Sequence, residues 1–342
     1  MSGLRASPGG LIGEPATSRL RVGVIGAGVM GERHARIYAS LPDVDLIAVC
    51  DSRPEVAGRV AAASGAAACA DVGELLARHA VDAVSVCTPD DAHRAPCEAA
   101  LRAGTHVLVE KPLATTVADA AAIIEAATRA GVVLLVGHCL RFDPRYHAAK
   151  TAIAAGELGE IQTVYTRRSN TVAAQDRLRG RCSLPLFLGV HDYDVMRWWT
   201  GSEVERVTAE SKWGLLRSRG FPVEDANCAL LRFASGALGI AELNWVLPRG
   251  FPASGDHRAD VVGDRGALGI ATLETGLRRA DEDRAFVVDT TTAAMFSLEL
   301  RHFVDCVRGT VPPAIAPEDG LMALRIALAV EESAATGRPV TP

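Results

Sequence analysis

The chain has 342 residues, 49% of them hydrophobic and 5% aromatic, and a formal net charge of −5. That length accommodates two domains of ordinary size, and the acidic balance argues against a nucleic-acid binder, which carries a basic footprint. No window is apolar for long enough to span a bilayer, and the eight cysteines, without one CxxC pair, read as buried free thiols of a reducing, cytoplasmic compartment.

Residues 1–19, MSGLRASPGGLIGEPATSR, lack a continuous apolar stretch and read as a disordered leader. Strand-like and helix-like patterns then alternate through residue 140. LRVGVIGAG is a short apolar run ending in glycines, followed by a helix over 29–40. The strand VDLIAVCD and a helix over 54–64 come next. Three further strands stand in VDAVSVCTP, THVLVEKP and GVVLLVGH, with helices over 92–103 and 116–130 between them. Continuous Val, Leu and Ile runs mark strands buried on both faces, so residues 20–140 are expected to form a doubly wound, parallel Rossmann sheet.

From residue 141 the pattern changes. RFDPRYHAAKTAIAAGELG reads as one helix ended by glycine. Strands without regular intervening helices follow: IQTVYTRRSN, EVERVTAESKW, DANCALLRFASGALGIAELNWVLP with its Ser-Gly turn, RADVVGDRGALGIAT and AFVVDT. Helices over 297–308 and 318–336 close the chain. This predicts an α+β domain over 141–342, built on a large, mostly antiparallel open sheet, with the last helix packing back on the Rossmann domain. The apolar ALGIAELNWVL suits a covered sheet face, and a homodimer or homotetramer built there is expected.

Two motifs carry chemistry. Gly26, Gly28 and Gly31 in GAGVMG have the G-x-G-x-x-G spacing between a strand and a helix. Gly26 makes the tight turn, Gly28 admits a pyrophosphate, Gly31 lets helix and strand approach, and Val29 and Met30 open the helix whose N-terminus receives the anion. Asp51, 20 residues beyond Gly31, accepts from the adenosine ribose hydroxyls and repels a 2′-phosphate, which favours NAD. Ser52 and Arg53 follow it, and an arginine there accommodates a 2′-phosphate, so NADP is the alternative. In the second motif, HVLVEKPLA puts Glu110, Lys111 and Pro112 at the carboxyl end of a strand, where ligands of open α/β sheets bind.

GAGVMGERHA, VSVCTPDDAHRAPCEAALRAGTHVLVEKPLA, VGHCLRFDPRY and LGVHDYDVMRWW, in this order, resemble the glucose-fructose oxidoreductase/inositol dehydrogenase/MocA family from residue 20 to the C-terminus. The resemblance implies hydride transfer between NAD(P) and a ring hydroxyl or ketone, with Lys111 and His191 as the active-site lysine and histidine. It also implies Thr88, Pro89 and His93 beside the nicotinamide, Arg141 at the pocket floor, and Arg168 and Asn170 toward the substrate from one face of a strand, with Arg167 on the other.

One departure stands out. Many members of the family carry an acidic residue four before the histidine, and this chain has Phe187. A phenylalanine desolvates the imidazole without orienting it. Asp194, three residues after His191, is expected to hold the ring instead, and Phe187 to cover an apolar face of a different substrate. No metal is required, and no cluster of ligands appears. These readings favour a dehydrogenase acting on a cyclitol or pyranose. The runner-up is a sugar-nucleotide or sugar-phosphate dehydrogenase, for example C3 oxidation of a UDP-sugar, for which Arg141, Arg168, Arg177, Arg179 and Arg181 are candidate binders. A non-catalytic NAD-binding regulator and a lyase that uses NAD transiently are the readings from other classes.

Overall fold

The computed structural model describes residues 18–273, 277–280, 285–288 and 295–342; the leader expected at the N-terminus lies outside the described residues up to residue 17. The first half runs β1 (Leu20–Ile25), α1 (Val29–Ser40), β2 (Val44–Cys50), α2 (Pro54–Ser64), β3 (Ala67–Cys69), α3 (Val72–Arg78), β4 (Ala83–Val86), α4 (Arg94–Arg102), β5 (His106–Glu110), α5 (Val117–Ala130) and β6 (Leu134–Gly137). Its six strands lie in the order β3-β2-β1-β4-β5-β6, every pair parallel. Order reverses beside β1, which opens the crevice where such sheets bind dinucleotides. β4 and β6 are buried at every residue, as strands covered by helices on both faces must be. Ser85, polar within β4, is satisfied by Tyr38 of α1 at 2.9 Å.

The second half runs α6 (Pro144–Ala154), β7 (Ile161–Thr171), α7 (Ala174–Leu178), a π turn (Pro185–Gly189), α8 (Val190–Thr200), β8 (Val204–Lys212), α9 (Leu215–Ser218), β9 (Ala226–Phe233), β10 (Leu238–Leu247), β11 (Gly255–Gly263), β12 (Ala267–Ala271), β13 (Leu277–Ala280), β14 (Ala285–Val288), α10 (Met295–Val307) and α11 (Pro317–Thr336). Eight strands among the described residues form one sheet, β14-β13-β12-β11-β7-β10-β9-β8. Only β7 and β10 pair in parallel. The hairpin expected at Ser235-Gly236 joins β9 to β10, with Gly236 at φ +93°.

Along β9 and β10 side chains alternate. Leu231, Phe233, Leu243 and Trp245 are buried, while Leu230, Leu238 and Ile240 point outward and are exposed. α8 and α11 cover the inner side. α11 also reaches the first half: it contacts α5 and β6, and a Cβ on Gly320 would stand 2.9 Å from Val136. α10 lies against α1, and Arg301 and Arg308 both bind Asp43 at the start of β2, at 2.7 and 2.5 Å.

One expected element is shorter than the sequence pattern implied. The stretch 141–159 is not a single helix. Cys139–Phe142 forms a 3₁₀ turn, and α6 begins only at Pro144. Asp143 caps it by accepting from the Arg145 N–H at 2.9 Å, and proline fills the first helical position.

Candidate active site

The glycine loop is built by close approach. Gly26 sits at φ +89°, and a Cβ there would meet the backbone of Cys87 at 2.6 Å. On Gly31 it would fall 1.7 Å from the Gly26 carbonyl. Gly28 caps α1 without any side-chain bond, and nothing stands within 4 Å of its missing Cβ. The first N–H groups of a three-turn helix therefore face open space beside a backbone that only glycine allows, and this fits a pyrophosphate. Val29, 54% exposed, and half-buried Met30 form the lip. Asp51 anchors the loop by accepting from the Ala27 N–H at 2.8 Å and from the Arg53 N–H at 3.0 Å. Burial pushes its carboxyl up, but the Arg53 guanidinium and these N–H groups outweigh that and hold it below the usual range. Arg53 is turned onto Asp51 at 3.1 Å, and Ser52 is exposed at the rim.

Thr88 and Pro89 follow β4 at the sheet's carboxyl edge. His93 is buried beneath them, with Nδ1 2.8 Å from the Pro112 carbonyl and Nε2 3.1 Å from the Thr88 carbonyl. It ties the loop after β4 to the loop after β5. Burial lowers its pKa, so the ring is neutral and donates to only one of the two carbonyls at a time. Glu110 turns away from the Lys111 ammonium: Oε1 lies 3.2 Å from His34 Nε2, and Oε2 accepts from the Lys111 N–H at 3.3 Å. Glu299 of α10 is buried close by, without a hydrogen bond to either oxygen. Burial first, and the Glu110 charge second, push its carboxyl well above the usual range, so it is protonated. His34 and Glu299 were not singled out in the sequence, since each reads there as an ordinary helix residue.

Lys111 and Phe187 meet. Lys111 Nζ donates to the Phe187 carbonyl at 2.8 Å and lies 4.2 Å from the centroid of its ring. Phe187 belongs to the π turn, closed by the Val190 N–H on the Pro185 carbonyl, so the regular four-residue spacing to His191 does not hold. His191 heads α8, half-buried, and its Nδ1 is buried with no partner among the described residues. Its pKa is lowered well below the ordinary 6.5, by burial first and then by the Lys111 and Arg168 charges. Burial lowers Lys111 too.

Two assignments need correction. Asp194 does not hold the His191 ring. It is fully buried and bonded to the Arg141 guanidinium at 2.9 and 2.6 Å, with His138 Nδ1 3.9 Å away. Arg141 in turn is not a free group at the pocket floor, because Asp194 and Asp319, the latter at 3.1 Å, neutralise it inside the protein. A buried guanidinium without such partners would be prohibitively costly.

Arg168 is likewise buried and bidentate to Asp192, both bonds 2.9 Å. It and Asn170 both reach His257, at 3.5 and 3.1 Å, whereas Arg167 pairs with Asp256. Burial, with the Arg168 and Arg145 charges, lowers His257 to about 3. Burial thus lowers the pKa of Lys111, His138, His191 and His257 alike, and the three histidines are neutral. His138 ends β6 at the same sheet edge where Lys111 follows β5, a signal available in VGHCLRF; His257 has none. A cavity of about 510 Å³, ample for a sugar ring, adjoins the same loops and is lined by Asp90, Arg181, Cys182, Leu186 and Trp213 among others.

A dinucleotide cradle, with a lysine and a neutral histidine at the same sheet edge, defines an oxidoreductase. Residues 20–138 match the oxidoreductase family's NAD-binding Rossmann fold, and residues 150–341 match its C-terminal alpha/beta domain. The chain belongs to the glucose-fructose oxidoreductase/inositol dehydrogenase/MocA family. It is 31% identical over 332 residues to a myo-inositol 2-dehydrogenase of Thermotoga maritima, covering 94% of this chain and 98% of that protein. It is also 31% identical over 336 residues to scyllo-inositol 2-dehydrogenase (NAD(+)) of Bacillus subtilis, covering 94% and 96%. Among solved structures, GenD2 from gentamicin A biosynthesis, in complex with NAD, superposes with a TM-score of 0.83 at 27% identity over 99% of both chains.

Proposed function

We propose that the protein is an NAD-dependent dehydrogenase that oxidises a ring hydroxyl of a cyclitol or pyranose, or reduces the matching ketone. The observation that carries this reading is the nearness of Lys111, just after β5, to a neutral His191 of α8 whose Nδ1 has no partner among the described residues. NAD, when bound, supplies the acceptor for the hydride. The carbinol must also lose a proton, and a neutral hydroxyl is too weak an acid to do so unaided. The Lys111 ammonium stabilises negative charge developing on that oxygen, an effect that is large where water is excluded. His191 Nδ1, free of any partner, takes the proton. The cations that depress its pKa make the imidazolium a strong acid, so the proton is returned readily in the reducing direction.

The inositol dehydrogenases among the relatives support a cyclitol-type substrate. Homo-oligomerisation on the outer face of the large sheet is supported by its apolar side chains, and eight free cysteines fit a reducing cytoplasm. We place the domain junction at residue 140, between the two sheets. Among the described residues no helix is long and apolar enough to cross a membrane. The test is a panel of cyclitols, free sugars and sugar nucleotides with NAD and NADP, read at the nicotinamide absorbance. Reduction of NAD by a cyclitol or pyranose is expected. No reduction by any of them, with NAD binding intact, would overturn the reading.

A further inference from the structure

Five arginines of the second half were candidate binders, and the structure sorts them. Arg141 is neutralised by Asp194 and Asp319, Arg168 by Asp192, and Arg181 by Asp90 at 2.5 Å. Arg179 is exposed and turned away from the helical path at φ +55°, with no aromatic contact. Arg177, exposed like Arg179, differs in its aromatic contact. It forms no ion pair or hydrogen bond among the described residues, and its guanidinium carbon stands 5.8 Å from the centroid of the Phe187 ring. That is the ring over which the Lys111 ammonium sits at 4.2 Å. Two cations therefore share one aromatic side chain at the reaction centre.

The residue at position 187 makes this arrangement unusual in charge. An aspartate or glutamate there would pair with Lys111 and repel an anion. Phenylalanine removes that negative charge and offers a ring face that attracts cations. Of the nearby carboxylates, Asp192 is committed to Arg168, Asp194 to Arg141 and Asp90 to Arg181, while Glu110 lies beside His34. His138, His191 and His257 add no positive charge of their own, since burial keeps them neutral. Arg177, exposed and without an ion pair among the described residues, is free to take an arriving anion as its counter-ion.

We infer that Arg177 is the binding residue for an anionic substituent on the substrate ring, a carboxylate or a phosphate monoester, placed across the Phe187 ring from the hydroxyl that Lys111 and His191 handle. This rests on the dehydrogenase reading for the reacting hydroxyl and names the class of ring it takes. The planar fork of Arg177 donates bidentately to either group, while the ring body lies against the half-buried Phe187, which is backed from inside by the buried Trp245 at a centroid distance of 6.3 Å.

The test uses ligands matched except for charge: D-glucose, D-glucuronate and D-glucose 6-phosphate, with myo-inositol and myo-inositol 1-phosphate as a second set. Affinity is measured by calorimetry on the NADH-loaded protein, where no turnover occurs, and NAD reduction is measured separately. At least one charged member is expected to bind about 10- to 100-fold more tightly than its neutral partner. The carboxylate and phosphate arms show which anion is preferred. Arg177→Ala should remove most of that preference, Arg177→Lys should retain part of it, and Arg179→Ala should leave it in place. Equal affinity of charged and neutral members, no binding of any charged member, or a preference that survives Arg177→Ala would overturn the assignment. A binding preference without NAD reduction by any ring keeps the anion subsite and removes the dehydrogenase reading. NAD reduction without a charge preference does the reverse.

Discussion

In the proposed reaction Lys111 and His191 divide the chemistry, and substitutions can separate their parts. Lys111→Ala should cut turnover by about three orders of magnitude, the scale of a lost charge-stabilising donor, and leave NAD affinity within a few-fold by fluorescence titration. His191→Ala should reduce kcat more than it raises KM. Because burial and two cations depress the His191 pKa, the acidic limb of the oxidation profile should lie below pH 6.5. Phe187→Asp adds a carboxylate that favours the imidazolium, so the limb should move to higher pH by about one unit or more. An unmoved limb would mean that Lys111, and not His191, takes the proton. Asp194→Asn is a different kind of change. It leaves a buried Arg141 with only Asp319, so it should destabilise the protein by about 3 kcal/mol in chemical denaturation, well beyond what loosening an imidazole would do. The strand-end lysine and the histidine stood out in the sequence because their neighbours are apolar. The pairing of Asp194 with Arg141 did not, because the two lie 53 positions apart and only the fold brings them together.

At the level of elements, the turn from β1 into α1 is the most constrained piece of backbone. Gly31→Ala would drive a Cβ into the Gly26 carbonyl, and the loop must shift to relieve it. NAD affinity should drop by at least about tenfold, since the N–H groups of α1 would no longer converge. Asp51→Ser should narrow the margin of NAD over NADP in kcat/KM by about tenfold, because it removes a carboxylate and frees Arg53. Buried strands such as those around Val107 and Val136 were legible despite their shortness, since they stand in continuous Val and Leu runs. β3, α3 and β13 were not, because AAC, VGELLAR and LRRA are short and lack such a run. The π turn was invisible for another reason: PLFLG has the apolar content of an ordinary helix start, and the extra residue per turn is set by what packs around it.

For the molecule as a whole, the outer face of the eight-stranded sheet carries Leu230, Leu238, Ile240 and Val262 at 36–47% exposure. A face of that character in solution calls for a second copy. Light scattering at micromolar concentration should give a dimer or tetramer, and Ile240→Asp should shift it toward monomer; a monomeric native protein would contradict this. The apolar stretch ALGIAELNWVL pointed to this face, since half of an alternating strand has to be covered by something beyond its own sheet.

α11 touches β8, α8, the π turn, α5 and β6, and just beyond it Val340 bonds Val207. It is translated after every other helix and strand described above. During synthesis the six-stranded half, with its glycine loop, has all its strands well before α11 leaves the ribosome. α8, which carries His191, and the edge of the large sheet must wait for it. A nascent chain arrested before Pro317 is therefore expected to capture the dinucleotide but to leave α8 unsupported, so competence for hydride transfer waits for α11.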